Sequence, residues 1–163
     1  MENQPNTERE NQLTFRFLAE PTDVNFGGKV HGGAVMKWID QAGYSLAVNW
    51  SRAYAVTVYV GGIRFYKPIR IGDIVEVKTK VIYTGRTSMH IAVDIAAENP
   101  KTGRKAKTTH CVIVFVAVDD DNEPAAVPKW IPETEEEKQL EHYAIKLMEL
   151  RKDIDREMEP FMN

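Results

Sequence analysis

One segment constrains the fold more than any other, because it reads as a long helix that is apolar over a broad arc. The residues from Lys29 to Trp50 are KVHGGAVMKWIDQAGYSLAVNW. At 100° per residue, the apolar and small side chains fall on one side of this helix, whereas Lys37, Gln41 and Ser45 fall on the other. An arc this broad must be covered by a second layer of structure.

The remainder of the chain supplies that layer as strands. A strand with alternating apolar residues is predicted around Leu13 to Phe17, and four more follow between Ala55 and Val118, joined by short turns. In the most regular of them, one face carries Val75, Val77, Thr79, Val81 and Tyr83, and the other carries Glu76, Lys78 and Lys80. The pattern predicts an α+β domain in which an antiparallel sheet wraps around the helix.

The 163 residues suit one domain with a sizeable core. We predict a disordered polar leader at 1–11, the α+β domain at 12–130 and a C-terminal helical extension at 131–163. Thr134 and Glu137 form a predicted capping box at the start of that extension. Apolar residues then recur at a spacing of three or four, which predicts a narrow seam that packs on the domain itself or on a partner.

Composition argues against several classes of protein. The net charge of −3 argues against a nucleic-acid or anionic-membrane partner, and no apolar run approaches a membrane span. The single cysteine, Cys111, cannot form an internal disulfide, so a cytoplasmic location is expected. No metal is expected, because the histidines lack the spacing of zinc ligands. A serine hydrolase and a phosphate loop are not expected either, because their sequence motifs are absent. The histidines are His31, His90, His110 and His142, and core packing is expected for His110 because it lies in the central strand.

The diglycine at the start of the long helix and the carboxylate within it are the candidate site residues. The first turn of a helix offers unpaired N–H groups, and Gly32 and Gly33 leave them open to a polarised carbonyl or an oxyanion. Asp40 lies at the edge of the apolar arc, roughly 10 Å along the axis from Gly33. The two could act on one carbonyl only with help from loop curvature, or if a second copy of the helix, related by a two-fold axis, supplied the missing half. From spacing alone, a solvated surface carboxylate explains Asp40 equally well.

Four motifs occur in order along the chain: N-x-x-G-x-V-H-G-G, I-D-x-A-G, F-x-K-P-I-x-I-G-D and Y-T-G-R-T-S. Together they resemble the hot-dog-fold acyl-CoA thioesterases, in the cytosolic acyl-CoA hydrolase branch. The resemblance covers about residues 13–120, and the tail that begins VPKWIPETEEE resembles the C-terminal extension of the same branch. It implies a hot-dog fold, in which a long central helix is wrapped by an antiparallel sheet.

The resemblance also implies roles for individual residues. Asp40 matches the catalytic carboxylate, and Asn25 matches its partner amide. The backbone N–H groups of Gly32 and Gly33 are implied to polarise the thioester carbonyl. The segment implied to line the channel for the coenzyme A phosphates consists of Gly85, Arg86, Thr87 and Ser88.

The implied reaction is hydrolysis of acyl-CoA to a free acid and coenzyme A, without a metal or an organic cofactor. Two hot-dogs are implied to pair, with Asn25 and Asp40 of each site coming from opposite protomers, and three such pairs to form a hexamer. The implied partners are therefore acyl-CoA and further copies of the chain, with no nucleic acid and no membrane. Whether Asp40 is a base or a nucleophile, and which acyl chain length is used, stay open.

Three alternative functions agree with the sequence less well than hydrolysis does. A non-catalytic hot-dog that senses acyl-CoA would keep the binding residues, but no DNA-binding segment is visible. A hot-dog hydratase would need the motif D-x-x-x-x-H. The chain does not match it at Asp40, because Ser45 occupies the position of the histidine. A purely structural oligomerisation domain would leave the carboxylate and the diglycine without a purpose.

Overall fold

The computed structural model describes residues 9–162. The strands are β1 (Gln12–Leu18), β2 (Tyr54–Phe65), β3 (Ile74–Thr84), β4 (Ser88–Glu98) and β5 (Lys105–Val118). The α-helices are α1 (Gly32–Ser51) and α2 (Glu135–Met158), and short 3-10 helices lie at Pro21–Asp23 and Glu159–Phe161. Every predicted strand and both predicted helices are confirmed, and α1 begins at the diglycine.

The five strands form one antiparallel sheet in the order β1-β3-β4-β5-β2, so β1 and β2 are its two edges. The Gly61–Gly62 pair lies at an irregularity of this sheet. The β2–β5 register shifts between Gly61 and Arg64, and Gly62 has a φ of 71°. A side chain is rarely tolerated at such a φ, which is why glycine suits this bend.

One face of the sheet holds α1 and the main core. Ile39, Leu46 and Ala47 of the helix are fully buried there. A Cβ atom at Gly43 would lie 2.9 Å from the ring of Phe115, so glycine at this position lets the helix approach the sheet closely. The sheet therefore covers the apolar arc of α1, as predicted from the breadth of that arc.

The opposite face of the sheet holds the first half of α2. Ala144 of its apolar seam is buried against Ile82, Ala92 and Val112 of the sheet. The other seam residues in this second cluster are Leu140, Tyr143 and Leu147. The capping box is confirmed, since Glu137 donates its N–H to Thr134 Oγ1 at 3.1 Å and returns a carboxylate to the N-cap backbone. The seam thus packs on the chain's own domain.

Two side chains differ from their predicted positions. Tyr83 was predicted on the face of Val81, but a bulge between these residues shifts the register, and Tyr83 packs against the cluster beneath α2. His110 was predicted to pack in the core, yet it is only half-buried, with Nδ1 2.8 Å from Asp94 and Nε2 2.9 Å from Tyr143. Neither a bulge nor a polar partner on another element can be predicted from the alternation of apolar and polar residues along a strand.

Residues 1–8 of the predicted leader lie outside the described residues. Arg9 donates a hydrogen bond to the carbonyl of Trp50, and Glu10 accepts one from the side chain of Asn49. The domain boundaries at 11/12 and 130/131 stay predictions. Within residues 9–162, no helix is long and apolar enough to cross a membrane.

Candidate active site

The first turn of α1 leaves backbone donors open. The side chain of the N-cap residue, His31, makes no capping hydrogen bond, and Val35 is the first residue to donate its N–H to a helix carbonyl, at 3.1 Å to His31. The N–H groups of Gly32 and Gly33 precede that bond, and both residues are exposed. A Cβ at Gly33 would meet no atom within 4 Å, so packing within the chain does not require glycine there. The open donors suit an external oxyanion.

Asn25 lies beside this helix start, in the loop that precedes α1. Its Oδ1 accepts hydrogen bonds from the N–H groups of Gly27 and Lys29, at 2.9 and 3.3 Å. Because the oxygen is occupied within the loop, the amide NH2 is the part of Asn25 that can act on a substrate or a water molecule. Asn25 and Gly32 line the same pocket of about 360 Å³, together with Phe65.

Asp40 lies on an exposed part of α1, where it is held by a residue that sequence reasoning missed. Thr57 of β2 donates a hydrogen bond from its Oγ1 to Oδ1 of Asp40, at 2.6 Å. That bond fixes one carboxylate oxygen and leaves the other able to accept a proton. No motif marks Thr57, because threonine in a strand is ordinary and its partner is fixed only by the packing of α1.

One chain does not bring the predicted catalytic residues together. A Cβ at Gly32 would lie 3.4 Å from the ring of Phe65, so the helix start and Asn25 lie at the Phe65 end of β2. Asp40 lies at the Thr57 end of the same strand. About 12 Å of helix axis separates Gly32 from Asp40 at 1.5 Å per residue. The structure therefore presents two half-sites at opposite ends of β2.

The segment predicted to bind the coenzyme A phosphates forms the turn between β3 and β4. Gly85 donates its N–H to the carbonyl of Ser88 at 3.0 Å, and a Cβ at Gly85 would lie only 2.5 Å from Ser88 Oγ. The carbonyls of Arg86 and Thr87 accept hydrogen bonds from residues 127 and 117, at 2.9 and 3.0 Å. The Arg86 side chain is exposed. A fixed backbone therefore presents a guanidinium that has no partner among residues 9–162.

This turn lies at the same end of the sheet as Asp40. Thr57 pairs with Phe115, which pairs with Met89, and Met89 pairs in turn with Thr84. Three strand spacings separate Thr57 from Thr84, or roughly 14 Å. The turn thus lies to one side of the carboxylate, within reach of the arm that joins the thioester of acyl-CoA to its phosphates.

Three further lysines, Lys67, Lys105 and Lys107, lie in two different places. Lys67 lines the Asn25 pocket. Lys105 and Lys107 lie on the face opposite α1 and pair with Glu76 and Asp94, at 2.8 and 2.6 Å. These ion pairs hold Lys105 and Lys107 away from the candidate site.

Within residues 9–162, no three side chains of His, Cys, Asp or Glu are grouped as a metal site would require.

Comparison with known proteins places the chain in a family. Residues 27–104 match the model of the thioesterase superfamily. The acyl-CoA thioester hydrolase YciA of Salmonella typhimurium is 33% identical over 132 residues, which cover 78% of this chain and 96% of that relative. A hexameric thioesterase from Yersinia pestis is 33% identical with a TM-score of 0.66, covering 71% of this chain and 93% of the other.

An acyl-CoA hydrolase from Staphylococcus aureus, solved in complex with butyryl coenzyme A, coenzyme A and coenzyme A disulfide, is also similar. It is 29% identical with a TM-score of 0.85, covering 94% of this chain and 93% of the other. Alanine variants of that hydrolase at an aspartate, an asparagine and a threonine have been solved too. The spacing of those three residues is the same as that of Asn25, Asp40 and Thr57.

The similar relatives and solved structures match over most of the chain and agree with the sheet, the helix start and the carboxylate described above. The predicted hot-dog fold is confirmed by the structural neighbours. The chain therefore belongs to the thioesterase superfamily, and within it to the acyl-CoA thioester hydrolases.

Proposed function

We propose that the protein hydrolyses acyl-CoA thioesters to a free carboxylic acid and coenzyme A. The observation that carries this proposal is the carboxylate of Asp40, held by Thr57 and exposed at the edge strand of a thioesterase-superfamily fold. An acyl-CoA sensor would need neither a threonine-fixed carboxylate nor open donors at a helix start. Hydrolysis uses both.

In the proposed reaction, Asp40 is the general base. Its free oxygen takes a proton from a water molecule, and the water oxygen bonds to the carbonyl carbon of the thioester. The N–H groups of Gly32 and Gly33 donate to the oxyanion that develops. When the tetrahedral intermediate collapses, the carbon–sulfur bond breaks and the leaving thiolate of coenzyme A takes the proton from Asp40. The NH2 group of Asn25 donates to the carbonyl or the water, since its oxygen is engaged in the loop.

The two half-sites are proposed to meet between two copies of the chain. The outer side of β2 has no strand beside it among the described residues, so a second β2 can add to it. A two-fold axis perpendicular to the strands runs the two copies antiparallel. If the axis passes near Gly61, the Thr57 end of one protomer meets the Phe65 end of the other. We propose a homo-oligomer built on this pair, and its hexameric form is supported by the Yersinia pestis relative.

Arg86 is proposed to bind the phosphates of coenzyme A. Its exposed side chain and fixed backbone support this role, as does its position at the same end of the sheet as the carboxylate. Arg86→Ala should raise KM for acyl-CoA far more than it lowers kcat, because the contact is the same in the ground and transition states. The KM for an acyl-pantetheine, which lacks the nucleotide, should not change. Equal effects on both substrates would remove Arg86 from the site.

Asp40→Asn tests the proposed function directly. Loss of a general base should lower turnover by about 10²–10⁴, while the fold and the affinity for coenzyme A stay unchanged. Release of free thiol from a panel of acyl-CoA esters measures turnover, and calorimetry measures coenzyme A binding. Asp120→Asn is the matched control, since Asp120 is exposed in a turn after β5. Turnover in Asp40→Asn equal to that of the control would contradict the proposal.

The reaction needs no metal or organic cofactor, because a carboxylate, a water molecule and backbone donors supply its chemistry; dialysis against a chelator should leave turnover unchanged. A cytoplasmic location is supported by the single buried Cys111, which has no disulfide partner. A place in fatty acid metabolism follows from the class of substrate.

A further inference from the structure

Helix α2 crosses the face of the sheet opposite α1 from one side to the other. It begins over β3, where Glu136 lies 3.3 Å from Lys80. Its middle is buried over β4 and β5, where Ala144 is 1% exposed. It then reaches β2, where the guanidinium of Arg151 lies 4.2 Å from the ring centroid of Tyr59. Since β2 is an edge strand, Arg151 marks the edge of the sheet.

The chain beyond Arg151 extends past that edge. About 10 Å of helix axis separates Arg151 from Met158, which equals about two strand spacings. Every residue from 152 to 162, here called the overhang, is exposed. The overhang nevertheless carries large apolar side chains with exposed fractions of 48%, 50%, 86% and 73%, which belong to Ile154, Met158, Phe161 and Met162. Among residues 9–162, no layer covers them.

The apolar side of the overhang continues a groove at the edge of the sheet. The groove has a volume of about 180 Å³ and is lined by Tyr59 and Gly61 of β2 and by Leu150 and Ile154 of α2. At 100° per residue, Ile154 and Met158 share the face of Arg151 that rests on the sheet. Lys152 falls on the opposite, solvent side. The overhang thus presents an apolar face toward the position where a further strand would continue the sheet.

We propose that the overhang packs on the outer face of a second copy of this chain, the copy that pairs at β2. This inference rests on the proposed oligomer. The surface that the overhang needs begins where β2 ends, and a second β2 is what continues the sheet at that position. A two-fold pair covers both overhangs at once. Each overhang lies over the sheet of the other protomer, beside the α2 helix of that protomer. The contact joins two copies through α2 as well as through the strand edge.

Introduced cysteines test this contact in the full-length chain. The only native cysteine, Cys111, is 1% exposed and lies in the core, so an introduced thiol dominates the reaction with a maleimide. The probe is Met158→Cys on the apolar face, and its matched control is Lys152→Cys on the solvent face of the same overhang. In protein shown by sedimentation to be oligomeric, the thiol at 158 should react about tenfold or more slowly than that at 152. After dilution to monomer, the two rates should become equal.

Each other outcome overturns the inference in a distinguishable way. Equal maleimide reaction rates at positions 158 and 152 in protein that sediments as an oligomer would agree with the proposed oligomer but would exclude the contact through the overhang. Protection that persists in diluted monomer would show that the chain covers its own overhang. A protein that sediments as a monomer at micromolar concentration would overturn the proposed oligomer, and this contact with it.

Discussion

Thr57 contacts Asp40 from a strand that no motif in the sequence marks. Thr57→Val keeps the shape of the side chain and removes the hydroxyl donor, so the carboxylate loses the hydrogen bond that fixes it. We expect kcat to fall by about tenfold or more, because loss of a hydrogen bond to a charged group is worth about 1.5–3 kcal/mol. KM should change little. Free-thiol release measures both.

Thr57→Ser is the matched variant, because it keeps a hydroxyl at the same position in β2. It should recover most of the activity that Thr57→Val loses. If valine and serine behave alike, the hydroxyl does not act on Asp40 and the effect belongs to packing.

A second carboxylate shows how burial and charge act away from the site. Glu76 is only 4% exposed, on the face of the sheet opposite α1, and its side chain contacts those of Arg16, Lys78 and Lys105. The hydrogen bond from Lys105, together with that from Arg16 and the nearby positive charge, outweighs burial and lowers the pKa of Glu76 to about 2. The sequence placed Glu76 on a polar face of its strand and did not show that three cations surround it.

The low pKa of Glu76 gives stability a defined pH dependence. A carboxylate whose pKa is lower in the folded state contributes stability above its unfolded pKa of 4.5, and loses it as the pH falls towards about 2. Glu76→Gln should therefore lower the free energy of unfolding at pH 7, and its difference from wild type should shrink between pH 4.5 and 2. Urea unfolding at several pH values measures this. A difference that does not vary with pH would assign the effect to packing.

Among the elements, the segment from Pro124 to Trp130 holds in place the turn that is proposed to bind the phosphates. Ala125 and Val127 donate their N–H groups to the carbonyls of residues 117 and 86, at 2.8 and 2.9 Å. The N–H of Trp130 donates to Oγ1 of Thr84 at 2.9 Å, where both residues are buried. This segment, here called the strap, therefore connects the end of β5 to the turn that carries Arg86.

Thr84→Val tests the strap, because it leaves the buried N–H of Trp130 without an acceptor. We expect the free energy of unfolding to fall by about 1–3 kcal/mol. KM for acyl-CoA should rise as the turn loses its support, with little change for acyl-pantetheine. Thr84→Ser keeps the acceptor and should behave nearly as wild type. Equal KM changes for both substrates would mean that the strap stabilises the domain without positioning the turn.

The elements themselves were predictable because burial imposes a period on the sequence. The breadth of the apolar arc of α1, the alternation in β3 and β4 and the capping box at Thr134 each reflect a local physical requirement. The strap and the bulge between Val81 and Tyr83 were not predicted. They depend on contacts between residues far apart in sequence or on a one-residue change of register, neither of which leaves a periodic signal.

At the scale of the whole molecule, the candidate site is divided between two positions. The motifs identified Asn25, the diglycine and Asp40, and the helical rise already separated Gly33 from Asp40 by roughly 10 Å. The structure shows that distance, because α1 places its first turn at the Phe65 end of β2 and its carboxylate at the Thr57 end. The helical rise suggested a second copy of the chain, and the resemblance implied how two protomers would share the site. The free edge at β2 supplies the physical reason for that copy.

Subunit mixing tests whether the two half-sites come from opposite protomers. Asn25→Ala and Asp40→Ala should each be nearly inactive as homo-oligomers. Unfolding and refolding an equal mixture should place about half of all two-fold pairs in the mixed form. Each mixed pair then has one site with both residues intact and one with neither. Thiol release should recover to roughly a quarter of wild type, given independent sites in an isologous pair. Activity no greater than the sum of the parents, in a mixture shown by mass spectrometry to have exchanged subunits, would place both residues within one chain's site.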